Sequence, residues 1–380
     1  MTSRLRGEAF IPQRMNKTSI AAVVVGKRRI EMREFPVPEP AKDDAVLKVE
    51  ACGICGSDWH YYTELNHWPY LDPPHIMGHE VVGRIGAISA GAAARWRLKE
   101  GDLVAVEAPV TCHRCRYCVT GQATLCANKR SYGISASMQD PPQLWGGYAQ
   151  YMYLHPDTHL HPVPSGVTPH AAALYTCVSN GVKWAQRIPN LGLGDSVVIL
   201  GPGQQGLGCV LAAAMAGANP VIVAGLEADR ARLAVAKQLG ATHTIVSEHA
   251  PLDEQVKKFL GPEMADVVVD VTGNPAAQMA TVDLVRRGGT IVLAGRTPGH
   301  QVDLIMDKIA ARGITMVGVR GHESDDIRRA LAIVAARPDA AEKLSTHEVP
   351  LRDADRALRL IGQEVPGENA IHVSLNPWTD

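Results

Sequence analysis

Four cysteines crowd into the sixteen-residue run TCHRCRYCVTGQATLC, at Cys112, Cys115, Cys118 and Cys126. The spacing C-x2-C-x2-C-x7-C lets a short, turning loop present four thiolates to one tetrahedral zinc. Disulfides suit it badly, because cysteines two residues apart rarely reach bridge geometry without strain. With sulfur in all four positions no place is left for a substrate, so such a zinc would be structural. A nucleic-acid-binding zinc ribbon is the competing reading; the arginines of HRCRYC favour it, and the lack of a basic stripe opposes it.

A second set of metal donors lies upstream: Cys55 in ACGICGSDWH and the pair His79-Glu80 in IMGHEVVG. Each is ordinary alone, since a lone buried cysteine usually just packs. HEVVG also lacks the second histidine of the H-E-x-x-H zinc-protease helix. Farther on, Gly201, Gly203 and Gly206 stand in VVILGPGQQGLG. A buried-strand run precedes them and an apolar helix follows, the setting of a dinucleotide fingerprint. The first glycine allows the tight turn, the second admits a pyrophosphate, and the third lets helix pack on strand. Free N–H groups at the helix start would face the phosphates. A P-loop is excluded, because no Lys-Ser or Lys-Thr follows the glycines.

These groups need two different scaffolds. From Ile20 to about Ala87 short β-type runs (AAVVV, AVLKVEA, EVVGRIGAI) alternate with Gly-, Pro- and Asp-rich turns, and GDLVAVE and WGGYAQYMYL continue them. This predicts a compact, mainly β first unit with the cysteine loop as an excursion. After Val178, VVIL, VIVAG, ADVVVDVTG and TIVLAG alternate with helical stretches, which predicts a parallel, doubly wound sheet. GITMVGV is its expected last strand, and the closing run AIHVSL is expected to return to the first unit. The predicted division is 1–177, 178–320 and 321–380, with 1–17 a disordered extension. At 380 residues the chain exceeds one ordinary core. A net charge of −1 provides no field for nucleic acid or an anionic membrane. No apolar stretch approaches the ~20 residues of a membrane span. Six of the eight cysteines fall where thiolate chemistry would use them, which favours a reducing compartment, hence the cytoplasm.

Together GICGSDWH, GHEVVG, the four-cysteine loop and GPGQQG resemble the zinc-containing medium-chain dehydrogenase/reductase family, from about Ile20 to the C-terminus. The resemblance implies a GroES-like catalytic domain and a Rossmann domain with the active site in the cleft between them. It implies reversible hydride transfer between an alcohol or carbonyl substrate and a nicotinamide, and a homodimer or homotetramer. Two zinc ions per chain are expected. Cys55 and His79 would hold the catalytic zinc, Glu80 would be a direct or outer ligand, and Cys177 would occupy the variable third position. Asp58 would orient the ligand histidine, and Ser57 and His60 would relay the proton. Zinc would act as a Lewis acid, lowering the pKa of a bound hydroxyl from about 16 towards ~7. Cys52 and Cys209 are expected to pack. Trp59, Tyr61, Trp68, Leu71 and Trp145 near these motifs hint at a bulky or cyclic substrate. Two other readings stay open: a zinc-free double-bond reductase of the same scaffold, and a non-catalytic zinc- and nucleotide-binding protein.

The expected cofactor contacts are Gly201, Gly203, Gln204, Gln205, Gly206, Gly225, Glu227, Arg232 and Thr272. The ribose-gripping acid of an NAD site belongs at the end of the second strand. That position, 24 residues after Gly201, is Gly225. A glycine leaves room for a 2′-phosphate, and Arg230 and Arg232 follow, which points to NADP. Glu227 opposes this, since its charge would repel a phosphate and its carboxylate could accept the ribose hydroxyls. NAD is therefore favoured over NADP.

Overall fold

The computed structural model describes residues 15–64, 72–297 and 299–380. Most of the expected N-terminal extension, together with Trp68 and Leu71, lies outside them. In chain order, strands β1 (Thr18–Gly26) and β2 (Arg29–Pro36) form a hairpin, and β3 (Ala45–Gly53) leads into helix α1 (Gly56–Thr63). After β4 (His75–Ile76), which pairs with β1, come β5 (Glu80–Ile88), β6 (Leu103–Val106), β7 (Tyr151–Leu154) and β8 (Leu160–Pro162). β3 is the hub of the larger sheet, pairing antiparallel with β5 and β7. Its alternating and doubly buried positions (Val46, Leu47, Val49, Cys52) enter one large core with Ile54, Tyr148 and Met152.

The parallel sheet follows helix α2 (Tyr175–Gly181). Its strands are β9 (Val197–Leu200), β10 (Val221–Gly225), β11 (His243–Val246), β12 (Ala265–Asp270), β13 (Val285–Leu293) and β14 (Thr315–Gly318). Their spatial order is β11-β10-β9-β12-β13-β14, all parallel. Every residue of β9 and β10 is buried, as a strand covered on both faces requires. Strand order reverses at β9, so a crevice opens beyond its carboxyl end. Helix α3 (Gln204–Met215) starts there, and α4 (Arg230–Leu239) follows β10. Helix α5 (Ser324–Ala336), β15 (Ser345–Pro350), α6 (Ala354–Ile361) and β16 (His372–Asn376) complete the chain. β16 pairs with β3 (Ser374↔Gly53), returning the C-terminus to the first sheet. Tyr175, Ile327 and Leu331 pack with Ala51, Val82 and Ala105, so a shared apolar cluster joins the two sheets' supports.

Two local features differ from the sequence reading. Strand β11, from THTIV, was not anticipated, because an edge strand with only Ile245 buried lacks an apolar run. β13 begins at Val285, earlier than TIVLAG, with a register shift against β12 that the positive-φ Gly288 accommodates. Among the described residues no helix is long and apolar enough to cross a membrane.

Candidate functional site

Strand register brings the first metal motif together. Gly53, the last residue of β3, pairs with Glu80, the first of β5. Cys55 therefore emerges beside His79-Glu80, and one donor atom from each lies within 4.8 Å of the others. A side chain on Gly53 would meet Glu80 Oε2 at 2.5 Å and His372 Nε2 at 2.9 Å, so glycine is what lets these groups crowd together. Cys55 caps α1, and Asp58 in its first turn folds back to accept from the Cys55 N–H at 3.0 Å. The same Asp58 Oδ2 accepts from Tyr148 Oη at 3.1 Å, while Oδ1 lies 3.3 Å from His79 Nδ1. His79 Nδ1 thus faces the Asp58 carboxylate at charge-pair distance, without a well-formed hydrogen bond among the described residues, and Nε2 is left for a metal. Burial first, then the charge of Asp58, pushes the Tyr148 phenol well up, keeping it a hydrogen-bond donor.

Glu80 is 1% exposed, and its Oε1 has no hydrogen-bond partner among the described residues. Burial raises its carboxyl to about 7, with His79 pulling the other way and Asp58 adding to the rise. His372 of β16 stands 3.9 Å away, and neither of its ring nitrogens has a hydrogen-bond partner among the described residues. Burial first, then the charge of His170, holds that imidazole down to about 3, hence neutral. A thiolate, an imidazole and a buried carboxylate with an unused oxygen form a donor set that fits zinc and leaves a fourth position open.

Cys177 does not join this set. Helix α2 abuts α3 so tightly that a side chain on Gly208 would drive into the Cys177 carbonyl. The Cys177 thiol lies in the second core and donates to its own helix at Leu174 O, 3.3 Å away. Ser57 and His60 are three residues apart on α1 and share a face; Ser57 is half-buried and His60 exposed. Of the aromatic residues near the motifs, the three described ones have packing contacts. Trp59 sits against Gly362 under Arg28, Tyr61 is in the core edge-on to His75, and Trp145 stacks with Tyr132 in the core.

In the cysteine loop the four Sγ atoms all lie within 4.8 Å of one another. The Sγ atoms of Cys115 and Cys118 are 3.5 Å apart, those of Cys126 and Cys112 3.6 Å, and those of Cys112 and Cys118 4.0 Å. A tetrahedron with Zn–S bonds of about 2.3 Å has edges of about 3.8 Å, so the cage fits zinc.

A cavity of about 760 Å³ opens at the switch point beyond β9. Gly201, Gly203, Gln204, Gln205 and Gly206 form one end of it at the start of α3, with Thr272 opposite. A side chain on Gly206 would run into the Gly201 carbonyl, which explains the third glycine. Gly225, Leu226, Asp229, Arg232 and Ser247 form the other end. Glu227 is not part of this lining and is paired with Arg230 and His249. The turn Glu227–Asp229 delivers its third residue to the cavity rather than its first. Asp229 Oδ2 accepts from the Leu226 N–H at 3.0 Å, and Oδ1 lies 3.7 Å from Arg232 Nη1. Arg232 is already committed, donating to Ala370 O at 2.6 Å. Gly225 has a packing reason: a side chain there would meet Pro202 at 2.8 Å. Metal donors and cavity adjoin, because Gly56, next to Cys55, lines the cavity and Gln204 Nε2 donates to Ile54 O at 3.3 Å.

Residues 41–165 match the alcohol dehydrogenase GroES-like domain, and residues 206–336 match the zinc-binding dehydrogenase domain. The chain belongs to the zinc-dependent medium-chain dehydrogenase/reductase family. It is 36% identical to a Mycobacterium tuberculosis protein named "probable alcohol dehydrogenase", over 94% of this chain and 98% of that one. It is 35% identical to the sorbitol dehydrogenase of Bacillus subtilis, over 81% of this chain and 83% of the relative. Among solved structures, an alcohol dehydrogenase of Thermotoga maritima superposes with a TM-score of 0.85 at 25% identity, covering 94% of this chain and 99% of its own.

Proposed function

We propose that this protein is a zinc-dependent alcohol dehydrogenase that reversibly oxidises an alcohol to a carbonyl, passing hydride to a nicotinamide. The observation that carries this is the adjacency of the Cys55–His79–Glu80 donor set to the switch-point cavity through Gly56 and Gln204. Cys55, His79 and Glu80 would hold one zinc and the four-cysteine loop another. The first zinc, when bound, supplies Lewis-acid polarisation of the substrate oxygen. Asp58 fixes the His79 tautomer and ring direction, and is itself held by Tyr148 and the Cys55 N–H. Ser57 and exposed His60, on one face of α1, would pass the substrate proton outward. Backbone N–H groups at the start of α3 would receive the dinucleotide phosphates.

NAD is the proposed cofactor, with Asp229 rather than Glu227 as the acid for the adenosine ribose. Its carboxylate would repel a 2′-phosphate, while Arg232 is turned onto Ala370. The test is nicotinamide reduction followed by absorbance over aliphatic, aromatic, cyclic and polyol alcohols, with each cofactor. Turnover preferring NAD supports the assignment, and Asp229→Asn should erode the preference by about tenfold in kcat/KM, ~1.4 kcal/mol. No turnover despite bound zinc would favour a binding protein, and a preference for NADP would overturn the role of Asp229.

A further inference from the structure

The segment between β14 and α5, residues 319–323, has no regular secondary structure, yet the cysteine loop and the helical stretch around residues 180–184 both hold it. The largely buried carboxylate of Glu323 accepts from Thr124 Oγ1 at 2.7 Å and from Lys183 Nζ at 3.1 Å, with the Thr124 N–H at 3.4 Å. Thr124 precedes the ligand-type Cys126 by two residues, within the cysteine loop. Next to Glu323, the half-buried His322 donates from Nδ1 to Asn180 Oδ1 at 2.9 Å, and Asn180 Nδ2 donates to Gln205 Oε1 at 3.0 Å. Gln205 lines the dinucleotide cavity. One train of hydrogen bonds therefore runs from cavity to cysteine loop: Gln205, Asn180, His322, one peptide, Glu323, Thr124. Trp184 Nε1 on Gly321 O at 3.0 Å holds the same segment in place.

We propose that zinc in the four-cysteine loop and dinucleotide in the cavity strengthen each other's binding, with Glu323 as the residue that transmits the effect. The proposal rests on the reading of the cavity as a nicotinamide-cofactor site. The physical reason is that a buried carboxylate keeps its position only while its donors are present. A metal-filled loop presents both Thr124 donors to Glu323. Without the metal, residues 123–126 lose their anchor, and Glu323 keeps Lys183 alone and is drawn towards water. His322, one residue away, then leaves Asn180, and Gln205 loses the partner that fixes its amide at the cavity wall. By linkage, a bound dinucleotide that holds Gln205 favours the arrangement in which the loop keeps its metal.

The test uses the intact protein with zinc and NADH as the two ligands. Alkylation of Cys112, Cys115 and Cys118 at buffered free zinc, read peptide by peptide by mass spectrometry, gives the free-zinc midpoint for protecting the loop. Saturating NADH is expected to lower that midpoint by at least about fivefold, and zinc in the loop is expected to tighten NADH binding by the same factor. Glu323→Gln should reduce both effects below about twofold while NADH still binds and the fold persists. Thr124→Val, which removes only the hydroxyl donor, should weaken the effect as well and stands in if Glu323→Gln does not fold. A midpoint unmoved by NADH in the unmodified protein, or a full shift in these variants, overturns the proposal. A fluorescence titration in which NADH fails to bind the unmodified protein would overturn the cofactor reading itself, and the coupling with it.

Discussion

Asp58→Asn is expected to weaken zinc at the Cys55–His79–Glu80 set by about 10- to 100-fold, or ~1.4 to 2.7 kcal/mol, while the fold and the cysteine-loop zinc survive. The magnitude follows from how fully the carboxylate is used. Asp58 is 3% exposed and faces three donors: the Cys55 N–H and Tyr148 Oη on one oxygen, and His79 Nδ1 on the other. Asparagine keeps one acceptor oxygen and replaces the other by an NH2 group. If the oxygen stays with Cys55 and Tyr148, the NH2 points at His79 Nδ1. That nitrogen must then accept, which moves the ring proton to Nε2 and removes the lone pair a metal needs. If the amide flips, His79 keeps its tautomer but the NH2 faces two buried donors, at about 1–3 kcal/mol for each unsatisfied group. Either way the ligand histidine is no longer held in its binding form. Chelator competition measures the zinc affinity, and kcat/KM should fall in step with zinc occupancy. A variant that binds zinc within about threefold of the unmodified protein, with unchanged kcat/KM, would refute the role given to Asp58.

Gly208→Ala should lower the thermal midpoint, because its Cβ enters the Cys177 carbonyl where α2 crosses α3, an overpacking cost of about 1–3 kcal/mol; calorimetry showing no change would contradict the tight crossing. The half-buried His322 has its pKa lowered from 6.5 to about 4, by desolvation above all; Glu107 and Asp326 oppose the shift, and Lys183 and His161 add to it. The unfolded chain therefore binds this proton at higher pH than the folded one, so stability falls as pH drops through that window, by up to about 3 kcal/mol from this group. Urea titrations across the window should show a shallower acid-side loss in His322→Asn, and an identical slope would count against a half-buried neutral histidine. Cys115→Ser should cost one zinc and lower the thermal midpoint while sparing the Cys55 site, since metal-binding energy in such loops is also folding energy; unchanged zinc content and midpoint would contradict a structural metal.

The sequence announced those parts of the site whose chemistry is written in short spacings. The four-cysteine cage, the Cys55 and His79-Glu80 motifs and the glycine turn were legible because each confines its donors to a few residues. Asp58 was legible too, three residues from Cys55 in the first turn of the same helix. Tyr148 and His372 were not, because strand pairing and core packing alone carry them to Asp58 and Glu80. Cys177 was singled out by its type, and the fold sets it apart from the other three donors: its helix is pressed onto α3 and its Sγ donates to Leu174 O. Strand-end counting pointed to Glu227, whereas the extra turn after β10 puts Asp229, two residues on, in the cavity lining. Of the aromatic side chains near the motifs, Trp59, Tyr61 and Trp145 have packing roles that their proximity in sequence did not reveal.

The central claim is that alcohol oxidation depends on a zinc held by Cys55, His79 and Glu80. The most direct measurement is zinc content and alcohol-dependent nicotinamide reduction on the same preparation, for the unmodified chain and for Cys55→Ser. The account predicts two zinc ions per chain with turnover in the former, and in Cys55→Ser one zinc, a persisting fold and no turnover. Turnover at a near-normal rate in Cys55→Ser, with zinc confined to the cysteine loop, would contradict it.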